Sequence, residues 1–188
     1  RAGRRYNFLL RSIRKWRSLF VVRRLPFTHL CRNRFSSHVI LNIPELLTHV
    51  DVERTWHVRH RNLRQGQPFE TVDYGAVDRL ASTVHLVLVL DGVEVGCATL
   101  QKEDRDGGFG YRIRGMAVDE EFRGRGFGRL LMEGTQQLAR ELGTGLWCNA
   151  RVNAIPAYLC CGFRQVGKEF DIVGIGPHYV LEWLPSFP

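Results

Sequence analysis

Residues 114–134, RGMAVDEEFRGRGFGRLLMEG, constrain this chain more than any other stretch. An apolar, strand-like run leads into three glycines and two arginines, and a helix-like pattern begins at once. Glycine admits positive φ and lets a backbone pass close to another molecule. A helix start leaves about four N–H groups without intrahelical partners, at the positive end of the macrodipole. Strand, glycine turn and helix in that order make a site for an anion, suited to a phosphate or pyrophosphate.

Two familiar phosphate loops do not fit. GxxxxGK[ST] is absent. The spacing in Arg123-Gly124-Arg125-Gly126-Phe127-Gly128 is GxGxG rather than GxGxxG. A dinucleotide site also needs an acidic ribose partner about 20 residues on, and the strand-like run at 145–150 carries Asn149 instead. On the loop alone, a glycine-rich turn with incidental arginines stays open.

The net charge of +8 invites a nucleic-acid reading, but its distribution argues against one. Residues 1–40 hold 11 Arg and Lys and no acid, which leaves 16 basic against 19 acidic residues for the remainder. The chain therefore divides into a basic N-terminal extension, 1–40, and a mildly acidic globular domain, 41–188. The extension has three readings: a targeting segment, Arg-rich and acid-poor; a basic arm for nucleic acid or an anionic membrane; or a segment foreign to the mature protein, since the chain starts at Arg1 and its only methionines are Met116 and Met132. Nucleic acid is not the expected partner of the domain. The longest apolar run, Val84–Leu90, is far short of the ~20 residues that span a membrane. Five cysteines without CxxC or zinc spacing read as reduced thiols, with Cys97 and Cys148 in the core. That points to the cytoplasm, or to an organelle if residues 1–40 are a targeting segment.

The pattern predicts a short strand at 38–43, a helix from Pro44 to about Arg64, and a break at QGQP, 65–68. Loop with a short helix follows to 83. Strands are expected at 84–90 and 93–101 around an Asp91-Gly92 hairpin turn, with 102–108 a polar, solvated loop. Then come a strand at 109–118, a helix at 127–142 with Leu130, Leu131, Leu138 and Leu142 on its buried face, and a strand at 145–150. A short helix capped by Asn153 and a closing pair at 163–170 and 178–184 complete an α/β domain with a mixed sheet.

The loop R-x-x-G-x-G at 123–128 after MAV resembles the acetyl-CoA loop of the GCN5-related N-acetyltransferases (GNAT). N-x-x-x-A-Y-x-x-x-G-F at 153–163 resembles the same family's second signature, and the resemblance runs over about residues 45–184. It implies a mixed, mostly antiparallel sheet splayed at the cofactor site, with helices on both faces. It implies that Met116, Ala117 and Val118 offer backbone groups to the pantetheine arm and the thioester carbonyl. It places the amides of Arg123, Gly124, Arg125, Gly126, Phe127 and Gly128 on the pyrophosphate, with Arg129 near the 3′-phosphate. Asn153 would bond the pantetheine arm.

Tyr158 is the implied catalytic residue, beside the thioester sulfur. A phenol has an ordinary pKa of about 10 against about 8.5 for a thiol, so it can donate a hydrogen bond and finally a proton to the departing thiolate. The resemblance implies direct attack of a neutral primary amine on acetyl-CoA, with no metal. Glu70, His85, Glu120 and His178 are base candidates by residue type alone. A covalent route through Cys160 or Cys161 is the lesser alternative. RNLRQGQPFE, 61–70, resembles bacterial-type members of unassigned substrate, which favours a small-molecule amine as acceptor. A homodimer is compatible with this reading. The competing function is a non-catalytic acyl-CoA-binding regulatory module.

Overall fold

The computed structural model describes residues 43–185, so the readings of 1–40 and of the strand at 38–43 lie almost wholly outside the described residues. Seven strands form one sheet: β1 (Glu45–Thr48), β2 (Val84–Leu90), β3 (Val93–Arg105), β4 (Phe109–Val118), β5 (Gly145–Arg151), β6 (Arg164–Ile172) and β7 (Gly176–Trp183). Their order is β1-β2-β3-β4-β5-β7-β6, and only β4 and β5 run parallel. This is the expected mixed α/β sheet. Two helices pack on it, α1 (Glu53–Leu63) and α2 (Phe127–Leu142), and a short α3 (Ile155–Leu159) precedes β6.

The alternation of β2 sorts the two faces. Leu86 and Leu88 join the larger core with Leu131, Met132, Leu146 and Leu181, between the sheet and α2. Val87 meets Val58, Cys97 and Ala117 in a smaller cluster under α1. β4 and α2 occupy the ranges read from the sequence, and glycines bound the helix: Gly126 at φ +86° opens α2 and Gly143 at φ +66° closes it.

Four expectations need correction. The chain after Pro44 is strand, not helix: Glu45–Thr48 pairs antiparallel with β2, and α1 starts only after His49 turns the backbone at φ +57°. Residues 102–105 extend β3, and two of their charges, on Glu103 and Arg105, are paired. Glu103 binds Arg112 at 3.1 Å and Arg105 binds Glu182 at 3.0 Å. The buried face of α2 is Phe127, Leu131, Met132, Thr135, Gln136 and Ala139, with Leu130 and Leu142 exposed. The polar members are satisfied, Thr135 on the Met132 carbonyl and Gln136 on the Cys161 carbonyl. Finally, Ala154 rather than Asn153 is the N-cap of α3.

Candidate active site

β4 and β5 are paired only from Phe109 and Gly145 to Arg112 and Trp147. Beyond that point β4 runs on to Val118 beside β3, and β5 runs on to Arg151 beside β7. The strands part, and the β5-facing backbone groups of residues 113–118 have no strand partner.

The divergence has a local cause. Cys97 lies opposite Ala117 but Thr99 lies opposite Arg114, so β4 carries one extra residue. Such a bulge bends a strand and tightens its twist. Gly115 takes up the strain at φ +55°, where a Cβ would come 3.0 Å from Nε of Arg59 and 3.2 Å from the Tyr74 ring.

The gap holds a cleft of about 1140 Å³. Ile113–Val118 form one wall and Asn149–Arg151 the other. The C-terminal end of α1, Tyr74, Asn153, Tyr158 and His178 complete the lining. Of the residues read from sequence, Met116, Ala117, Val118, Arg123, Asn153 and Tyr158 therefore face one space. Gly124, Arg125, Gly126, Phe127 and Gly128 are not in the lining, and continue the chain directly from Arg123.

Arg123 fixes that loop. Its Nε donates to the Val118 carbonyl at 3.2 Å and its Nη2 to Oδ1 of Asn62 at 2.9 Å, joining the loop to β4 and α1. Gly124 and Gly126 are left-handed, and a Cβ on Gly124, Gly126 or Gly128 would meet nothing within 4 Å. No side chain caps α2, so its first amides are available. Phe127 is buried and stacks on Phe122 at 5.6 Å, which sets the angle at which α2 leaves the loop. Arg125 lies over both rings, at 5.4 and 5.7 Å. Arg129 is engaged by Glu133 at 2.7 Å. A strand edge with unpaired backbone, followed by an uncapped helix start behind open glycines, fits an extended thioester that carries a diphosphate.

Tyr158 is buried, edge-on to Phe163 at 5.2 Å. Its hydroxyl donates to the Met116 sulfur at 3.4 Å, so its reach already spans from α3 to a sulfur atom on β4. Burial, with the neighbouring Cys148 thiol, pushes its pKa well above the ordinary phenol value. At neutral pH it stays protonated and serves as a donor. Asn153 is exposed at the cleft and caps nothing.

The base candidates separate by position. Glu70 is exposed, outside the lining. His85 is buried beneath α1, with Nδ1 at 2.9 Å from Oγ1 of Thr99 and Nε2 at 2.8 Å from the Asp78 carbonyl. Glu120 lines the cleft but is exposed. His178 lines the cleft and is buried; its Nδ1 donates to the Gly176 carbonyl at 2.7 Å, so in the neutral ring the lone pair is on Nε2. Cys97 and Cys148 are core thiols, each pushed up to about 12 by burial. Neither Cys160 nor Cys161 is in the lining.

Sequence reading missed the polar cluster around Tyr74. Arg59, Arg64 and Arg114 each set a guanidinium over this ring, at 4.2, 5.7 and 5.1 Å. The alternation Arg112-Ile113-Arg114 held the clue, since it puts two arginines on one face of a central strand. Among the described residues, no group of three or more His, Cys, Asp and Glu is placed to hold a metal ion. No helix there is long and apolar enough to cross a membrane.

Known proteins share this architecture. Residues 81–165 match the acetyltransferase (GNAT) domain family. An uncharacterized N-acetyltransferase of Bacillus subtilis strain 168, YitI, is 33% identical over 136 residues, covering 70% of this chain and 91% of that protein. Among solved structures, an acyl-CoA N-acyltransferase from Pseudomonas aeruginosa superposes with a TM-score of 0.61 at 23% identity, covering 74% of this chain and 99% of its own. Escherichia coli ElaA does so with a TM-score of 0.62 at 19% identity, over 74% and 99%. The chain belongs to the GNAT acetyltransferases. It is thereby an acetyl-CoA-dependent N-acyltransferase, the class to which its splayed sheet and glycine loop had pointed.

Proposed function

We propose that this chain transfers the acetyl group of acetyl-CoA directly to the primary amine of a small molecule, within the β4–β5 opening. The observation that carries the reading is the meeting of unpaired β4 backbone with the Tyr158 hydroxyl in one cleft. The Arg123 amide is taken by the Glu120 carbonyl at 3.1 Å, so the amides of Gly124–Gly128 hold the diphosphate, and the backbone of Met116–Val118 and the Asn153 amide align the pantetheine arm. A β4 N–H bonds the thioester oxygen as negative charge develops there, a contact type worth about 3–4 kcal/mol.

His178 Nε2 takes the proton that the amine loses, directly or through one water. Tyr158 supplies the proton that the sulfur gains as the C–S bond breaks and the C–N bond forms. Exchange with solvent restores both residues. The placement of Cys160 and Cys161 outside the lining supports direct transfer over a covalent route.

The test is CoA-thiol release by the full chain, with acetyl-CoA and a panel of primary amines. Amine-dependent release with an N-acetyl product in the mass spectrum supports the reading. Saturable acetyl-CoA binding without release to any amine would replace it with a non-catalytic binding module.

A further inference from the structure

Two arginines of the cleft lining, Arg64 and Arg114, have no ion-pair partner among the described residues. Arg112 and Arg114 stand on the same face of β4, as the register Gln101↔Arg112 and Thr99↔Arg114 requires. That face is the one α1 covers over β2 and β3. Arg112 is committed: it pairs with Glu103 at 3.1 and 3.2 Å and lies on the Trp147 ring at 4.7 Å. Arg114 is not. It is half-buried, and its one hydrogen bond goes to the neutral Oε1 of Gln101 at 2.8 Å. Arg64 is similar, donating only to the carbonyls of Thr71 and Leu63. Among the described residues, neither has a carboxylate within ion-pair distance, and both line the cleft.

A half-buried cation without a counter-charge is costly, and desolvation lowers the pKa of Arg114 from its ordinary value. Buried or partly buried guanidinium groups are normally matched by an acid, as Arg59 is by Asp78 at 2.6 Å a few ångströms away. The diphosphate is not the missing partner. Across the bulge, Arg114 to Val118 spans only the three steps from Thr99 to Gly96 on β3, about 10 Å of strand, and the glycine loop follows only from Arg123.

We infer that the acceptor amine carries an anionic group, a carboxylate or a phosphate, which Arg114 and Arg64 bind beside the Tyr74 ring. This inference rests on the acetyl-transfer reading above. Guanidinium offers a planar fork of donors that matches either anion. The same cations disfavour an ammonium nearby, so they would help hold the attacking amine in its neutral form while the anion anchors the molecule.

The experiment measures CoA release by the full chain with three sets of amines. These are α-amino acids, aminoalkyl phosphates such as phosphoethanolamine, and uncharged or cationic counterparts, namely amino-acid amides and polyamines. The expected result is a preference for one of the anionic sets, with kcat/KM falling at least tenfold when the anion is neutralised. R114Q then raises KM for the anionic amine about tenfold or more and erases the preference, while the KM for acetyl-CoA stays within twofold. R114K retains part of the preference. Preference for the amides or polyamines, or an anionic preference that survives R114Q and R64Q together, overturns the inference but leaves the acetyl-transfer reading intact. Acetyl-CoA binding without release to any of the amines overturns both.

Discussion

Arg59 and Arg114 both place a guanidinium over the Tyr74 ring, at 4.2 and 5.1 Å, yet they sit in regions built by different rules. Beneath α1, Arg59 is fully buried and answered on nearly every side. Asp78 takes Nη1 at 2.6 Å and Nη2 at 3.3 Å, Oγ1 of Thr99 takes Nη2 at 2.7 Å, and the Val72 carbonyl takes Nη1 at 2.9 Å. On the cleft floor Arg114 has one neutral acceptor. The first region binds the 3-10 turns of 69–79 to α1 and β3; the second faces the space where an acceptor would enter. The contrast separates charge used to hold the fold from charge left for a ligand.

The largest effect should come from breaking the closed side. D78A leaves Arg59 buried without a counter-charge, a change that costs about 3–5 kcal/mol. Urea denaturation should show a loss of that size. R114Q, which orphans no carboxylate, should move stability by less than about 1 kcal/mol in the same measurement. Equal losses would erase the distinction between the two arginines.

The next effect lies where the regions touch. G115A forces a side chain into left-handed backbone, at a cost of roughly 1–2 kcal/mol. Its Cβ would also crowd Arg59 Nε and the Tyr74 ring. The expected outcome is a stability loss of about 2 kcal/mol together with weaker acetyl-CoA binding, because the bulge also opens β4 from β5. A loss of stability with unchanged binding would mean that the splay does not depend on the bulge.

The smallest effect concerns His85. Burial, the first cause, lowers its pKa, and Arg59 adds to the lowering against the Asp78 carbonyl bond. A folded-state value below the unfolded one means that the unfolded chain binds the proton first. Stability is therefore lost as pH falls below the ordinary histidine value of about 6.5. Melting temperatures read from pH 7.5 to 5 should fall, and H85Q should flatten that fall. Asp73 and Glu94, both held low by arginine partners, act only at more acid pH.

What the sequence revealed follows from the range of the interactions. The glycine loop, β4 and α2 were legible because their determinants are local: glycines at the turns, alternation in the strand, periodicity in the helix. The motif residues of 153–163 were legible for the same reason. A short polar residue before Ile155-Pro156 has the local pattern of a cap, which points to Asn153, but the chain enters α3 through a 3-10 turn ending at Ala154. β1 was misread because its partner, β2, lies about forty residues on, and nothing within Glu45–Thr48 records that pairing. The Arg59 cluster was invisible for a like reason, since its partners are 19 and 40 residues away. The stripe on α2 was shifted because Thr135 and Gln136 are buried only by virtue of carbonyls that accept from them.

The proposed transfer depends on the Tyr158 hydroxyl acting on sulfur at the β4 opening. Steady-state kinetics of Y158F, run with acetyl-CoA and whichever amine the panel selects, address this most directly. The account predicts a fall in kcat of about 10²–10⁴-fold, with acetyl-CoA affinity within threefold of the parent chain. An unchanged kcat, or a loss confined to acetyl-CoA affinity, would contradict it.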